Sequence, residues 1–284
     1  QYVLAQGADP TFVTAMRMLC AGALFLAFLA VRRRDVLARA FADRRTVGRF
    51  AVFGFGLLGS QITFAISIAY TNAGTATVLQ MTGSVFIMLF VCLRARTAPR
   101  AGEALGLAAA LAATYLIATQ GDFGALRLPV EGVLWGVANG LAVALYVVYP
   151  KESGLFERFS GLATTGLGMA VGAVYATIVW LARAAVSFAA GDGAEALRIV
   201  APPLDASGWA VLAIGVGVVG TFVAYALYLS GVARVGSVAG GLLGAVEPLA
   251  ATSLSAVWLG TAFSGADWAG FALMLAMIAL VTIK

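Results

Sequence analysis

The sequence contains no histidine, only two cysteines, and few charges for its length. Without imidazole, zinc, haem and Ser-His-Asp chemistry lose their commonest ligand or base. Cys20 and Cys92 lie inside apolar runs and give no disulfide framework. No GxxxxGK[ST] phosphate-binding loop is present, so the chain does not hydrolyse nucleotide itself. Charged residues make up 11% of the 284, where average soluble domains carry roughly 25%. So few charges could not cover a soluble particle of this size. A soluble enzyme, a disordered chain and a nucleic-acid-binding domain are excluded, in spite of a pI of ≈ 9.5. The opening Gln1-Tyr2-Val3-Leu4 lacks the basic segment of a secretory leader and reads as part of a helix.

What the chain has instead is apolar length. It is 62% hydrophobic with a mean hydropathy of +0.97, which makes the bilayer its expected solvent. A spanning helix needs about 20 mostly apolar residues. Nine stretches qualify: 11–31, 48–70, 74–93, 103–120, 131–150, 161–183, 207–230, 235–259 and 265–283. The stub 1–6, before Gly7-Ala8-Asp9-Pro10, reads as the tail of one more, so ten spans are expected with most of the first outside these residues. The longest connection, 184–206, holds Gly191-Asp192-Gly193 and Pro202-Pro203 and is expected to be a surface loop with room for a short interfacial helix.

The charges alternate with each crossing. One set of loops carries Arg32, Arg33, Arg34, Arg39, Arg44 and Arg45, then Arg94, Arg96 and Arg100, then Lys151 and Arg158, then Arg234 and Lys284. The other set carries Asp9, Asp122, Glu131, Asp192, Glu195, Asp205 and Asp267 with few basic residues. Lys and Arg bias sets orientation, which puts the first set and the C-terminus in the cytoplasm.

An internal repeat follows from the turns. Ala69-Tyr70-Thr71-Asn72-Ala73-Gly74 joins the third and fourth spans of the ten, and Gly231-Val232-Ala233-Arg234-Val235-Gly236 joins the eighth and ninth. A Gly- and Ala-rich helix and a last helix of similar length come after each. The predicted fold is therefore an all-α polytopic membrane protein. Residues 1–128 form the first five-helix repeat and 129–284 the second. Five is odd, so the two repeats are inverted, around a central cavity. Inverted repeats are common in secondary transporters, with the substrate near the midplane.

These features, with Ala15-Met16-Arg17-Met18-Leu19 early in the second helix and Glu247-Pro248 in the ninth, resemble the drug/metabolite transporter superfamily, EamA-type. The resemblance implies a bacterial inner-membrane carrier, often an exporter of amino acids, amines or similar metabolites, working by alternating access. The family pattern has a proline in the fourth helix where this chain has Thr82-Gly83-Ser84-Val85-Phe86, so no proline hinge is expected there.

Candidate site residues come from what is polar at membrane depth. Glu247 is the one carboxylate read well inside a span, next to Pro248, which frees a backbone carbonyl and can kink the helix. It is a candidate for a proton or a substrate ammonium group, or for a structural hydrogen bond across helices. Arg17 falls roughly 10 Å below the outer surface by helix rise, and Glu247 about 18 Å above the inner one. The two are expected at similar depth, as an ion pair or the poles of a zwitterion site, while the Arg17 stem could also snorkel to the headgroups. Gln61, Phe64, Gln80, Trp135, Asn139, Tyr146 and Tyr225 are candidate substrate-binding positions, with Tyr149, Val218, Thr221 and Tyr228 on the same helix faces. Aromatics at these places also serve as core or interfacial belts. Gly132, Gly136 and Gly140 recur every four residues, as do Gly236, Gly240 and Gly244 ahead of Pro248, which marks close helix contacts or hinges. The fifth and tenth helices carry few deep polar groups and are expected to be scaffold or a dimer contact.

The reading that results is a secondary transporter, an exporter by expectation. Its partners are a small-molecule metabolite, the lipid bilayer, a coupling proton and a second copy as a candidate homodimer, with no nucleic acid, cofactor or metal. The alternatives are a uniporter or exchanger without proton coupling, or a channel-like pore. An intramembrane enzyme lacks the necessary groups, since no histidine is present and no aspartate is read at depth.

Overall fold

The computed structural model describes residues 3, 6–71, 73–122, 124, 129–244, 246–247, 250 and 264–282. The described residues are helical with short connections and no strand. In chain order the helices are α1 Pro10–Arg32, α2 Arg34–Ala42, α3 Arg44–Tyr70, α4 Ala73–Gln80, α5 Thr82–Ala95, α6 Ala101–Thr119 and α7 Val130–Glu152. Then come α8 Leu155–Arg158, α9 Gly161–Ala189, α10 Gly193–Val200, α11 Ala206–Val235, α12 Ser237–Gly244 and α13 Gly265–Thr282. Seven of the described helical spans are long and apolar enough to cross a membrane, α4 and α5 counting as one from Thr75 to Ala95, and α13 is a shorter apolar helix. The expected stretch 235–259 is described only in its first part. Its remainder, Pro248, and residues 1, 2, 4 and 5 of the stub lie outside the described residues.

The helix starts are chemically determined. Asp9 caps α1 by accepting from the Thr11 N–H at 2.7 Å, and Pro10 needs no amide partner at the first helical position. Asp192 accepts from the Glu195 N–H at 2.9 Å, and Ser160 Oγ from the Ala163 N–H at 3.3 Å. Asp205 opens α11 by accepting from the Gly208 N–H at 2.6 Å and the Ser207 hydroxyl at 2.7 Å. The acidic residues of the Arg-poor loops are thus largely caps, placed where the helix dipole favours a negative charge.

The Asp205 carboxyl sits below its ordinary pKa because the Ser207 hydroxyl, the Gly208 N–H and the Gln6 amide all donate to its charged form. A carboxylate whose folded pKa is depressed stabilises the fold above its unfolded pKa, and that contribution disappears as pH falls through the folded value. Asp205→Ala should therefore lower the thermal midpoint at neutral pH. The deficit relative to wild type should be full at neutral pH and should narrow only as the pH falls below the ordinary aspartate value.

Two compact units divide the chain, each taking helices from both halves of the sequence. The first comprises Gln1–Ile62 and Tyr149–Ala233. Its most extensive packing is α1 against α9, followed by α1 against α11. Small residues allow it. A Cβ on Gly22 would lie 3.2 Å from Ala170 Cα, and one on Gly54 would lie 2.9 Å from the Gly172 amide nitrogen. Phe12, Met18, Phe25, Phe53, Leu57 and Met169 fill the interior between these close approaches.

The second unit comprises Thr63–Val148 and Arg234–Lys284. Here α6 and α13 pack most extensively, around Met81, Met88, Ala110, Ala113, Ile117, Leu242, Met274 and Met277. At one end Asp267, buried, accepts from Gln120 Nε2 at 2.8 Å and from the Ser264 N–H at 2.9 Å. The two helices expected as scaffold or a dimer contact pack against each other, and they bury Thr114 and Asp267 as well as Ala and Met. The stripe on α7 is a true contact face. A Cβ on Gly132 would overlap Thr71 Cγ2, one on Gly136 would come within 2.5 Å of Leu79 Cβ, and one on Gly140 would overlap Thr82 Oγ1.

Two expectations, for 32–47 and 231–236, need correction, and two others gain detail. The loop 32–47 contains the helix α2, which buries Val36 and Ala40 one turn apart. In 184–206, α9 runs on to Ala189 and α10 follows, its Ile199 carbonyl accepting from Trp180 Nε1 at 2.9 Å. The expected turn 231–236 is helical to Val235, and only Gly236 turns, at φ 90°. The fourth span is interrupted without proline. At Met81 the bonds tighten to i→i−3, with Met81 N–H to Val78 O at 3.1 Å and Ser84 N–H to Met81 O at 3.0 Å.

Candidate functional site

Within the first unit, polar side chains at membrane depth are held in pairs. The Nε of Arg17 donates to Thr221 Oγ1 at 2.9 Å, and its Nη2 reaches the Gly220 carbonyl at 3.4 Å. The Gln61 amide donates to the Tyr225 hydroxyl. Thr221 and Tyr225 are four residues apart on α11, so α1 and α3 deliver their polar groups to neighbouring turns of one helix. Thr221 is fully buried and Gln61 nearly so. The guanidinium is thus engaged by α11 within the unit, although its stem was free to snorkel.

The local winding of α11 explains why it can accept these donors. Residues Val211–Val223 wind as a π-helix, with i→i−5 bonding, and include Gly215, Gly217 and Gly220. The Thr221 hydroxyl donates back to the Val216 carbonyl at 2.7 Å, five residues earlier, which fixes its oxygen as acceptor for Arg17. π-helical winding is uncommon and is frequent at functional sites. Phe25 covers the neighbouring ring of Phe222 with centroids 4.5 Å apart.

The second unit holds a separate polar set. Asn139, buried, donates through Nδ2 to Thr63 Oγ1 at 3.3 Å, and Ser67 Oγ donates to the Gly132 carbonyl at 3.1 Å. Tyr146 is buried, Phe64 and Gln80 are half-buried, and Trp135 is exposed, while Tyr149, half-buried, belongs to the first unit. Ser237 Oγ donates to Val147 O at 3.3 Å, just after the left-handed Gly236. Gly240 is buried in α12 and Gly244 half-buried. Glu247 is exposed and belongs to this unit, whereas Arg17 belongs to the first.

Of the sequence-chosen residues, then, Arg17, Gln61 and Tyr225 share one place in the first unit, and Asn139 lies in the second. Thr63 and Ser67 went unnoticed, because hydroxyls in a helix carry no periodic signal. Thr221 was visible only as part of a helix face, not as the partner of Arg17. Among the described residues no group of three or more Cys, Asp or Glu side chains could hold a metal ion.

The EamA-like transporter family matches residues 1–119 and 130–283. The chain is 28% identical over 286 aligned residues to a Salmonella typhimurium protein named an uncharacterized inner membrane transporter, YicL, covering 100% of this chain and 89% of that one. A solved crystal structure of a protein 22% identical is similar with a TM-score of 0.71, over 96% of this chain and 87% of the other, a likeness of fold.

Proposed function

The chain belongs to the EamA-like transporter family, and from that premise we propose that it is a secondary carrier exporting small organic metabolites, such as amino acids or amines, by alternating access. As a member it is a multi-pass membrane transporter and not an enzyme. The observation that carries the finer reading is the polar ladder Arg17–Thr221 and Gln61–Tyr225 across a mostly apolar bundle. Charged and amide groups are costly at that depth and are kept where they meet substrate or ions.

The complete fold in this proposal has ten spans in two inverted five-helix repeats, 1–128 and 129–284, in the inner membrane with a cytoplasmic C-terminus. Packing supports it. The repeat equates the second span with the seventh and the fifth with the tenth. These are the pairs α1 with α9 and α6 with α13, which pack most extensively in their respective units. Equivalent helices meet in this way beside a two-fold axis. The loop charges support the orientation.

A panel of metabolites, read by thermal stabilisation of purified protein, tests the substrate class. A true substrate should stabilise by about 2.7 kcal/mol at a hundredfold excess over its Kd. If no amino acid or amine stabilises the protein, the substrate class is wrong. Proton coupling through Glu247 is tested by vesicle uptake under an imposed pH gradient. The gradient should change the wild-type rate, and Glu247→Gln should ignore it. Indifference in both proteins would make the carrier a uniporter or exchanger.

A further inference from the structure

The segment Arg32–Arg49 holds seven of the chain's 18 basic residues, Arg32, Arg33, Arg34, Arg39, Arg44, Arg45 and Arg49, against Asp35 and Asp43. Both acids are already engaged. Asp35 pairs with Arg39 at 2.7 Å, and Asp43 with Arg158 of the next basic loop at 3.4 Å. Arg32, Arg33, Arg44 and Arg45 are exposed, and among the described residues their side chains make no hydrogen bond or ion pair. They flank α2, nine residues long, one pair at each end. By helix rise the two pairs stand about 14 Å apart.

The helix between them is amphipathic in an unusual sense. Val36 and Ala40 face the protein, while Phe41 is 70% exposed, as is Val31 at 75%. Arg34 falls on the same side of the helix as Phe41, by a spacing of seven, and Arg45 follows one residue inside the next helix. A soluble anion would use the arginines and have no use for the phenylalanine. A phospholipid would use both, the phosphate on the guanidinium forks and the acyl region against the ring. With only one residue separating α2 from each adjoining span, the helix is held at the membrane surface by the chain itself.

We infer that α2 is a headgroup-binding helix, on which Arg32 and Arg33 at one end and Arg44 and Arg45 at the other hold the phosphates of two anionic phospholipids while Phe41 inserts beside their chains. The inference rests on these helices being in a bilayer, which membership of the family establishes, and not on the substrate or on which leaflet α2 faces. Juxtamembrane basic clusters bind anionic lipid in proportion to their arginines, at about a fivefold gain for each.

The test uses the full chain purified in a neutral detergent. Phosphatidylglycerol or phosphatidylcholine is added in mixed micelles, inorganic phosphate serves as a further arm, and retained lipid is counted by native mass spectrometry. Wild type should retain two phosphatidylglycerol molecules at least tenfold more readily than phosphatidylcholine, and about 1 M salt should abolish the preference. The combined Arg32→Gln, Arg33→Gln, Arg44→Gln and Arg45→Gln protein should lose it, while the corresponding four lysine substitutions, which keep the charge and lose the forks, should reduce it without abolishing it. Phe41→Ser should weaken phosphatidylglycerol retention with the charge unchanged. Equal retention of both lipids, a preference that survives high salt, or competition by millimolar phosphate as effective as by lipid would overturn the assignment. The salt and lysine arms decide the matter even if the glutamine protein does not fold. Success here with no metabolite stabilising the protein would leave the lipid site standing and the substrate proposal fallen.

Discussion

Gly140→Leu should leave almost no folded protein in the membrane. The first carbon of any side chain at this position would overlap Thr82 Oγ1 and would lie 2.9 Å from the Gly83 amide nitrogen and 3.2 Å from the Thr82 carbonyl carbon. A flexible side-chain tip could turn away, but the backbone of α5 cannot without moving the whole helix. The contact is reciprocal, since a Cβ on Gly83 would lie 3.1 Å from the Gly140 carbonyl oxygen. Overpacking a well-fitted core typically costs 1–3 kcal/mol, about 2 kcal/mol at the middle of the range, and the larger penalties come from displaced backbone. The α5 start is also where the helix tightens at Met81, so displacement would break the i→i−3 bonds there. Gly48→Leu is the matched control, because a Cβ at Gly48 meets nothing within 4 Å. The yield of monodisperse protein in detergent extracts should fall to near background for Gly140→Leu and stay near wild type for Gly48→Leu. Normal yield of the first would mean that α7 and α5 do not meet at these glycines.

Arg17→Ala should lower transport ten- to a hundredfold while leaving most of the protein folded. A hydrogen bond involving a charged group contributes roughly 1.5–3 kcal/mol, which corresponds to rate losses of about that size. Arg17 is half-buried on α1, so its removal trims a long polar stem without opening the apolar interior formed by Phe12, Ala15 and Met18. Thr221 keeps its own bond to the Val216 carbonyl, so the π-helical winding of α11 has a reason to persist. Saturation kinetics in proteoliposomes separate the roles. A substrate contact raises KM or lowers kcat/KM at constant folded amount, whereas a purely structural arginine lowers the midpoint of unfolding and leaves the kinetics of the surviving protein unchanged.

How much of this was legible in the sequence depended on the kind of signal. Apolar length dictated the spans, so Pro10–Arg32 and Ala101–Thr119 fall within two residues of the stretches chosen from composition. The α7 glycines were visible because their spacing of four repeats the helix turn. The glycines of α9 that meet Phe25, Phe53 and Met18, namely Gly166, Gly168 and Gly172, were not, since they form no single row. The helix α2 reads as a loop in the sequence because it is only nine residues long and flanked by arginines at both ends, and its buried Val36 and Ala40 are too few to show a period. The π-helical winding of α11 left no mark beyond glycines and β-branched residues, which an ordinary spanning helix also contains. Arg17 was recognisable as a charge needing acceptors. Its partner stands 204 positions away, and no local pattern connects them. Asp267 was read as a loop acid because it sits at a helix start, where capping and burial coincide.

We propose that this member of the family moves a small organic solute as a carrier rather than a pore. Counterflow measures that directly. Proteoliposomes are loaded with an unlabelled metabolite identified by thermal stabilisation, and entry of the same labelled compound is followed with the protein as the only path. A carrier predicts saturable uptake that is accelerated by solute on the opposite side and that overshoots equilibrium before declining. Uptake that rises linearly with concentration and ignores solute across the membrane would contradict the account.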